Sequence, residues 1–321
     1  MGYALVLVRS ALMADAGSSA PMTKTQTEGQ PRAIRNASRI LPQDQIPDVR
    51  ALRRAAEKGA GKAQLNLGFA YYLGRGVPQD LAMASRWYRK AADQGHATAQ
   101  LHLGVCYRDG KGVPQSFAEA VRWFRKAADQ KNAIAQSELG FSYYLGQGVP
   151  QDYAEAVLWW RKAADQGHAT AQNNLGVAYA DGQGVPQDYA EAVLWFRKAA
   201  EQENANAQKE LGFAYYNGRG VPQDYAEAVL WYKKAADQGH AAAQYNLGVA
   251  YADGKGVRQD YAEAYFWENL AAAVSKDEKG TSIAKSRDEV GARLAPAQLS
   301  EVQKLCRQWM DAFEKRTAQE R

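Results

Sequence analysis

Residues 146–176 read GQGVPQDYAEAVLWWRKAADQGHATAQNNLG, and nearly the same sentence occurs six times at intervals of 36 residues. The Leu-Gly pair marks the register at Leu67-Gly68, Leu103-Gly104, Leu139-Gly140, Leu175-Gly176, Leu211-Gly212 and Leu247-Gly248. A Trp keeps the same step at Trp87, Trp123, Trp159, Trp195, Trp231 and Trp267. A fixed period of about 20–50 residues points to an array of small units. The spacing never slips, so the array has to be read before any single motif.

Each unit parses into two helices. In the fourth copy the first runs over about 171–180, with Leu175 and Tyr179 four apart on one face. Gly182 ends it, because glycine accepts the left-handed cap conformation. Gly184 and Pro186 keep the chain non-helical, and Asp188 opens the second helix as its N-cap. Glu191 follows three residues later in a capping-box spacing, which Asp152-Glu155, Asp224-Glu227, Asp260-Glu263 and Ser116-Glu119 repeat. In the second helix Tyr153, Ala156, Val157, Trp159, Trp160, Ala163 and Ala164 form a wide apolar stripe. One helix pair cannot bury such a stripe; stacked pairs can, each covering its neighbour.

Bulk composition agrees with a stacked array. The 321 residues are 46% hydrophobic and 23% charged, with net charge +5. No apolar run approaches the roughly 18 residues of a transmembrane helix. Two cysteines, Cys106 and Cys306, are too few for a disulfide scaffold.

The segment AQNNLGVAYADGQGVPQDYAEAVLWFRKAA, residues 171–200, resembles the Sel-1-like repeat (SLR) family of bacterial type, a relative of the tetratricopeptide repeat. The resemblance covers about residues 63–274, and all six copies carry the signature. It implies an all-α, right-handed α/α solenoid of helix-pair repeats. It also implies a non-enzymatic scaffold or adaptor for a protein or peptide partner, with no shared catalytic residues, cofactor or metal. Residues 46–62 align with the back half of a repeat and are expected to form an N-terminal capping helix. Residues 275–321 are expected to form C-terminal capping helices, near 278–294 and after Ala295. The second of these carries the apolar stripe Leu299, Val302, Leu305, Cys306, Trp309, Met310 and Phe313.

The first helices alternate between two types. LGFAYYLG, LGFSYYLG and LGFAYYNG alternate with LGVCYRDG and two copies of LGVAYADG, so the full period is 72 residues. Shared ancestry and function both fit this alternation. In tetratricopeptide arrays the first helix lines a concave groove. By that resemblance Phe69, Tyr72, Phe141, Tyr144, Phe213 and Tyr216 form aromatic rungs, with Arg108 between them. One position differs in every repeat after the second: Leu65, Leu101, Ser137, Asn173, Lys209 and Tyr245. The expectation is that Phe69, Tyr72, Arg108, Phe141, Tyr144, Asn173, Lys209, Phe213, Tyr216 and Tyr245 line the site for an extended peptide or partner helix. The chain is expected to be monomeric and to bind no nucleic acid.

Other readings are weaker. His96, His168 and His240 recur 72 residues apart, too far for one zinc ion, whose ligands sit about 2 Å away. Residues at the turn between repeats explain them better. Gly-x-Gly recurs without the third Gly, the strand or the βαβ setting of a dinucleotide site. The Trp series reads as packing between helices, and pairs such as Arg161-Lys162 read as a solvated face. Some cysteine-rich SLR proteins are credited with penicillin binding or β-lactam hydrolysis. Cys106 stands alone among the six repeats, which disfavours that enzyme reading.

The N-terminal MGYALVLVRSALMADAGSSAPM has an apolar patch, Tyr3 to Val8, interrupted by Arg9. A degenerate signal segment, a mis-assigned start and a disordered tail over residues 1–45 all fit, with export slightly favoured over a cytoplasmic location.

Overall fold

The computed structural model describes residues 49–275 and 278–319. The expectations for residues 1–45 lie outside these, as do the first residues of the 46–62 cap. Fifteen helices and no strand occur among the described residues. They are α1 (Val49–Glu57), α2 (Gly61–Leu73), α3 (Leu81–Asp93), α4 (Ala97–Asp109), α5 (Phe117–Asp129), α6 (Ala133–Leu145), α7 (Tyr153–Asp165) and α8 (Ala169–Asp181). Then come α9 (Tyr189–Ala200), α10 (Ala205–Asn217), α11 (Tyr225–Asp237), α12 (Ala241–Asp253), α13 (Tyr261–Val274), α14 (Glu278–Gly291) and α15 (Pro296–Gln319). The chain divides into two compact units. One holds residues 49–178 with Gly182–Pro186; the other holds Tyr179–Asp181 with residues 187–319. Within each unit helix pairs follow one another as in an α-solenoid: consecutive helices pack together from α1 to α7 and from α9 to α14, and α15 packs on α13.

The Val-Pro-Gln-Asp phrase caps two helices at once. In the third repeat the Gln151 amide donates to Tyr144 O at 2.8 Å, capping the end of α6. Asp152 Oδ1 accepts from Glu155 N at 3.0 Å, capping the start of α7. The same pair of bonds recurs at Gln79 and Asp80, Gln187 and Asp188, Gln223 and Asp224, and Gln259 and Asp260. Each cap satisfies backbone groups that the helix ends leave open. The reciprocal half of the capping box takes a different partner: Glu191 and Glu263 accept from the Trp195 and Trp267 indoles, at 2.9 and 3.1 Å.

Gly-x-Gly also has a steric explanation. Its first glycine ends the first helix in the left-handed region, as at Gly146 with φ 66°. Its second packs on the preceding second helix: a Cβ on Gly148 would lie 2.2 Å from Phe117 O, and one on Gly112 1.9 Å from Leu81 O. This motif is therefore a joint between repeats.

All six signature leucines are fully buried. The glycine after each lets the paired helix approach: a Cβ on Gly140 would meet Trp160 at 2.6 Å. At the C-terminus Val302 and Cys306 of α15 are buried against the last helices. Leu305 departs from the expected stripe. It is 46% exposed, because α15 rests on Val302 and Cys306 and turns Leu305 outward.

Candidate functional site

The ten expected groove residues all sit on first helices, but most are packed in. Phe69 is buried edge-on to Tyr88 and His102, at centroid distances of 5.5 and 4.7 Å. Tyr144 is 3% exposed and lies between Tyr153 and Trp160, at 5.2 and 5.4 Å. Phe141, Phe213 and Tyr216 are buried as well, while Tyr72 and Arg108 are half-buried. The expectation of open aromatic rungs needs this correction. The Leu-Gly approach draws each first helix so close to its partner that the rings become packing groups.

The tyrosine hydroxyls are also latched. Tyr72 Oη accepts from Lys111 Nζ at 3.3 Å, Tyr144 Oη donates to Gln183 Oε1 at 2.9 Å, and Tyr216 Oη accepts from Lys255 Nζ at 2.9 Å. Each reaches 39 residues forward, to the Gly-x-Gly loop of the next repeat. In the alternate repeats the tyrosine position holds Arg108, Ala180 and Ala252. The 72-residue period therefore has a structural role, joining a type-one tyrosine to a type-two loop.

The variable position is recessed and mostly polar. Ser137, Asn173, Lys209 and Tyr245 are all buried, and Lys209 at 8% exposure pairs with Glu210 at 2.5 Å. One residue further along, Glu138 at 6% exposure takes Arg108 Nη1 at 2.7 Å. Arg108 Nε also holds Asp109 at 2.7 Å. Burial alone would lower the Arg108 pKa, but the two carboxylates raise it, so the guanidinium stays charged. Lys and Glu are rarely this buried unless paired, and here the pairs lie along the first helices.

Three ladders escaped the reading of the sequence. Gln64, Gln100, Gln136, Gln172, Gln208 and Gln244 each donate to the carbonyl eight residues back. Gln94, Gln130, Gln166 and Gln238 in turn donate to the glutamine 30 residues before them. The Arg-Lys pairs are not simply solvated. Arg53 and Arg197 donate to Tyr71 and Tyr215 at 2.6 Å, and Arg89 and Arg125 bond Tyr107 and Tyr143 in the same way. The lysines lie over the Trp faces, as Lys90 does over Trp87 at 4.2 Å and Lys162 over Trp159 at 3.7 Å.

The titratable groups do framework work. His168 and His240 are N-caps whose Nδ1 accepts from Ala171 N and Ala243 N at 3.2 Å. Burial lowers both pKa values to about 4, as it does for His102. Asn132 and Asn204 cap the intervening repeats at 3.0 Å. Cys106 and Cys306 are free thiols, pushed up by burial to about 12 and about 11. Neither supplies a thiolate near neutral pH. Among the described residues no three His, Cys, Asp or Glu side chains could share a metal ion. A surface cavity of about 450 Å³ lies against Lys131, Gln136, Trp159, Lys162 and Gln166.

Among solved structures the chain is similar to a protective antigen of uropathogenic Escherichia coli that displays an SLR fold. Identity is 37% and the TM-score 0.68, over 76% of this chain and 57% of that one. The chain thus spans a little over half of that protein's length. It is also similar to a Sel1 repeat protein from Oxalobacter formigenes, at 34% identity and TM-score 0.65, over 72% of this chain and 92% of that one. No curated protein matches the chain. The Sel1 repeat model matches residues 61–96, 97–132, 133–168, 169–204, 205–240 and 241–273. Together with the helix pairs and their repeated joints, these matches show that the chain belongs to the Sel1 repeat family.

Proposed function

We propose that the protein is a non-enzymatic interaction scaffold that receives a partner's peptide segment along its first helices. Sel1 repeat proteins are generally protein-interaction scaffolds, which supports the coarser half of this reading. The finer half rests on one contrast. Caps, glutamine ladder and glycine joints recur nearly unchanged, while one first-helix position passes through Leu101, Ser137, Asn173, Lys209 and Tyr245. Its neighbours Glu138 and Glu210 carry paired charge. A repeated framework with one varied, recessed position beside paired charge suits recognition of an irregular partner.

The half-buried Tyr72 and Arg108 are the accessible members of the expected set. A photo-crosslinking amino acid at Tyr72 or Arg108 is expected to capture a discrete protein from host lysate, and one at the exposed Leu230 is not. Capture from Leu230 alone would move the site to the second helices. Turnover of a chromogenic cephalosporin by the purified chain would revive the enzyme reading.

A further inference from the structure

The second helices change character along the chain. One position carries Arg50, Arg86 and Arg122 in α1, α3 and α5, then Leu158, Leu194 and Leu230 in α7, α9 and α11. The next cationic positions are Arg53 and Arg54, Arg89 and Lys90, and Arg125 and Lys126. The helices α1, α3 and α5 together hold nine Arg and Lys against four Asp and Glu. The acids Glu57, Asp93 and Asp129 stand at helix ends, and Glu119 in the first turn of α5 lies 3.6 Å from Arg122 Nη1, so cations outnumber acids on all three helices. All nine cations are exposed, and all belong to one compact unit.

We infer that this outer face of α1, α3 and α5 is a docking surface for an acidic segment of a protein partner, separate from the first-helix site. Four arguments favour carboxylates on a peptide. Arg89 and Arg125 are steadied by the Tyr107 and Tyr143 hydroxyls, which presents their guanidinium forks at a fixed repeat interval. Equivalent helices stack about 10 Å apart, the length of about three residues of extended chain. Acidic side chains at every third residue of a polyproline II segment share one face about 9 Å apart and therefore match the rows. Single-stranded nucleic acid would call for exposed aromatic faces on which bases stack, yet Trp87 and Trp123 are buried beneath Lys90 and Lys126. A bilayer would call for apolar side chains to insert, and the exposed large hydrophobics begin only at Leu158.

Fluorescence anisotropy on the full chain tests this, with labelled oligoglutamate as the probe. Single-stranded oligothymidine and phosphatidylglycerol vesicles serve as competing probes. Oligoglutamate should bind at low salt and lose most of its affinity at about 0.5 M salt. R86E/R122E should weaken it by about tenfold, two exposed contacts turned repulsive. R86L/R122L, which installs the leucine this chain carries at positions 158 and 194, should weaken it less and secures the test if charge reversal impairs folding. Failure of oligoglutamate to bind, or equal binding by all variants, would overturn the proposal. Tighter binding of oligothymidine or vesicles than of oligoglutamate would overturn it in favour of those partners.

Discussion

At the scale of single residues the most informative site is the N-cap of the first helix, which alternates between His and Asn. The caps at His168 and His240 work only with a neutral imidazole, since Nδ1 must accept. Their folded pKa of about 4 lies below the unfolded value near 6.5. Between those values the unfolded chain binds protons that the folded chain refuses. Stability is therefore fully present above about pH 6.5 and falls as pH drops towards 4. The loss should be on the order of 1 kcal/mol for each histidine by pH 5. H168N/H240N, using the residue found at Asn132 and Asn204, should flatten that fall in urea titrations at pH 7 and pH 5. Parallel curves for variant and wild type would refute it. Lys131 and Glu203 are a second case, with φ of 62° where other repeats place Gly95, Gly167 and Gly239. K131G and E203G should each raise stability by about 0.5–1 kcal/mol in thermal unfolding, by relieving left-handed backbone strain. The turn position was legible in the sequence from the glycines. The cap role was not, because it depends on which ring nitrogen meets a particular backbone N–H.

At the scale of elements, side chains of the adjoining segments close many of the helix ends. The glycine, proline and aspartate of the inter-helix phrase announced themselves, since each has a strong local preference. The glutamines did not: Gln151 and Gln136 act on carbonyls that only the folded loop brings within reach. The same limit explains the aromatic rungs. Spacing placed Tyr144 and Phe141 on first helices but could not say that both sides of those helices are covered. The latch between repeats belongs to this scale. Tyr144→Phe removes a hydroxyl while keeping the ring, and should cost about 0.5–1.5 kcal/mol in chemical denaturation. A double-mutant cycle with Gln183→Ala should return a coupling of similar size, about 0.5–1.5 kcal/mol. Additive losses would show that the bond carries no energy.

At the scale of the whole molecule, the copies build what no copy could build alone. A 13-residue helix such as α6 is marginal in isolation. Its fully buried Leu139 and the ladders at Gln136 and Tyr143 come from stacking. The period made this architecture legible from the start. The variable face was legible as variation, but its recessed, charge-paired setting needed the folded array. Stability in such an array is the sum of repeat and nearest-neighbour terms, so damage should stay local. Leu139→Ala should cost about 2–5 kcal/mol at its own site. Hydrogen exchange read by mass spectrometry, comparing Leu139→Ala with wild type, tests that claim most directly. Faster exchange confined to α4–α7, with α10–α13 as protected as before, is the predicted result. An equal loss of protection in every helix would contradict the account of a scaffold held together repeat by repeat.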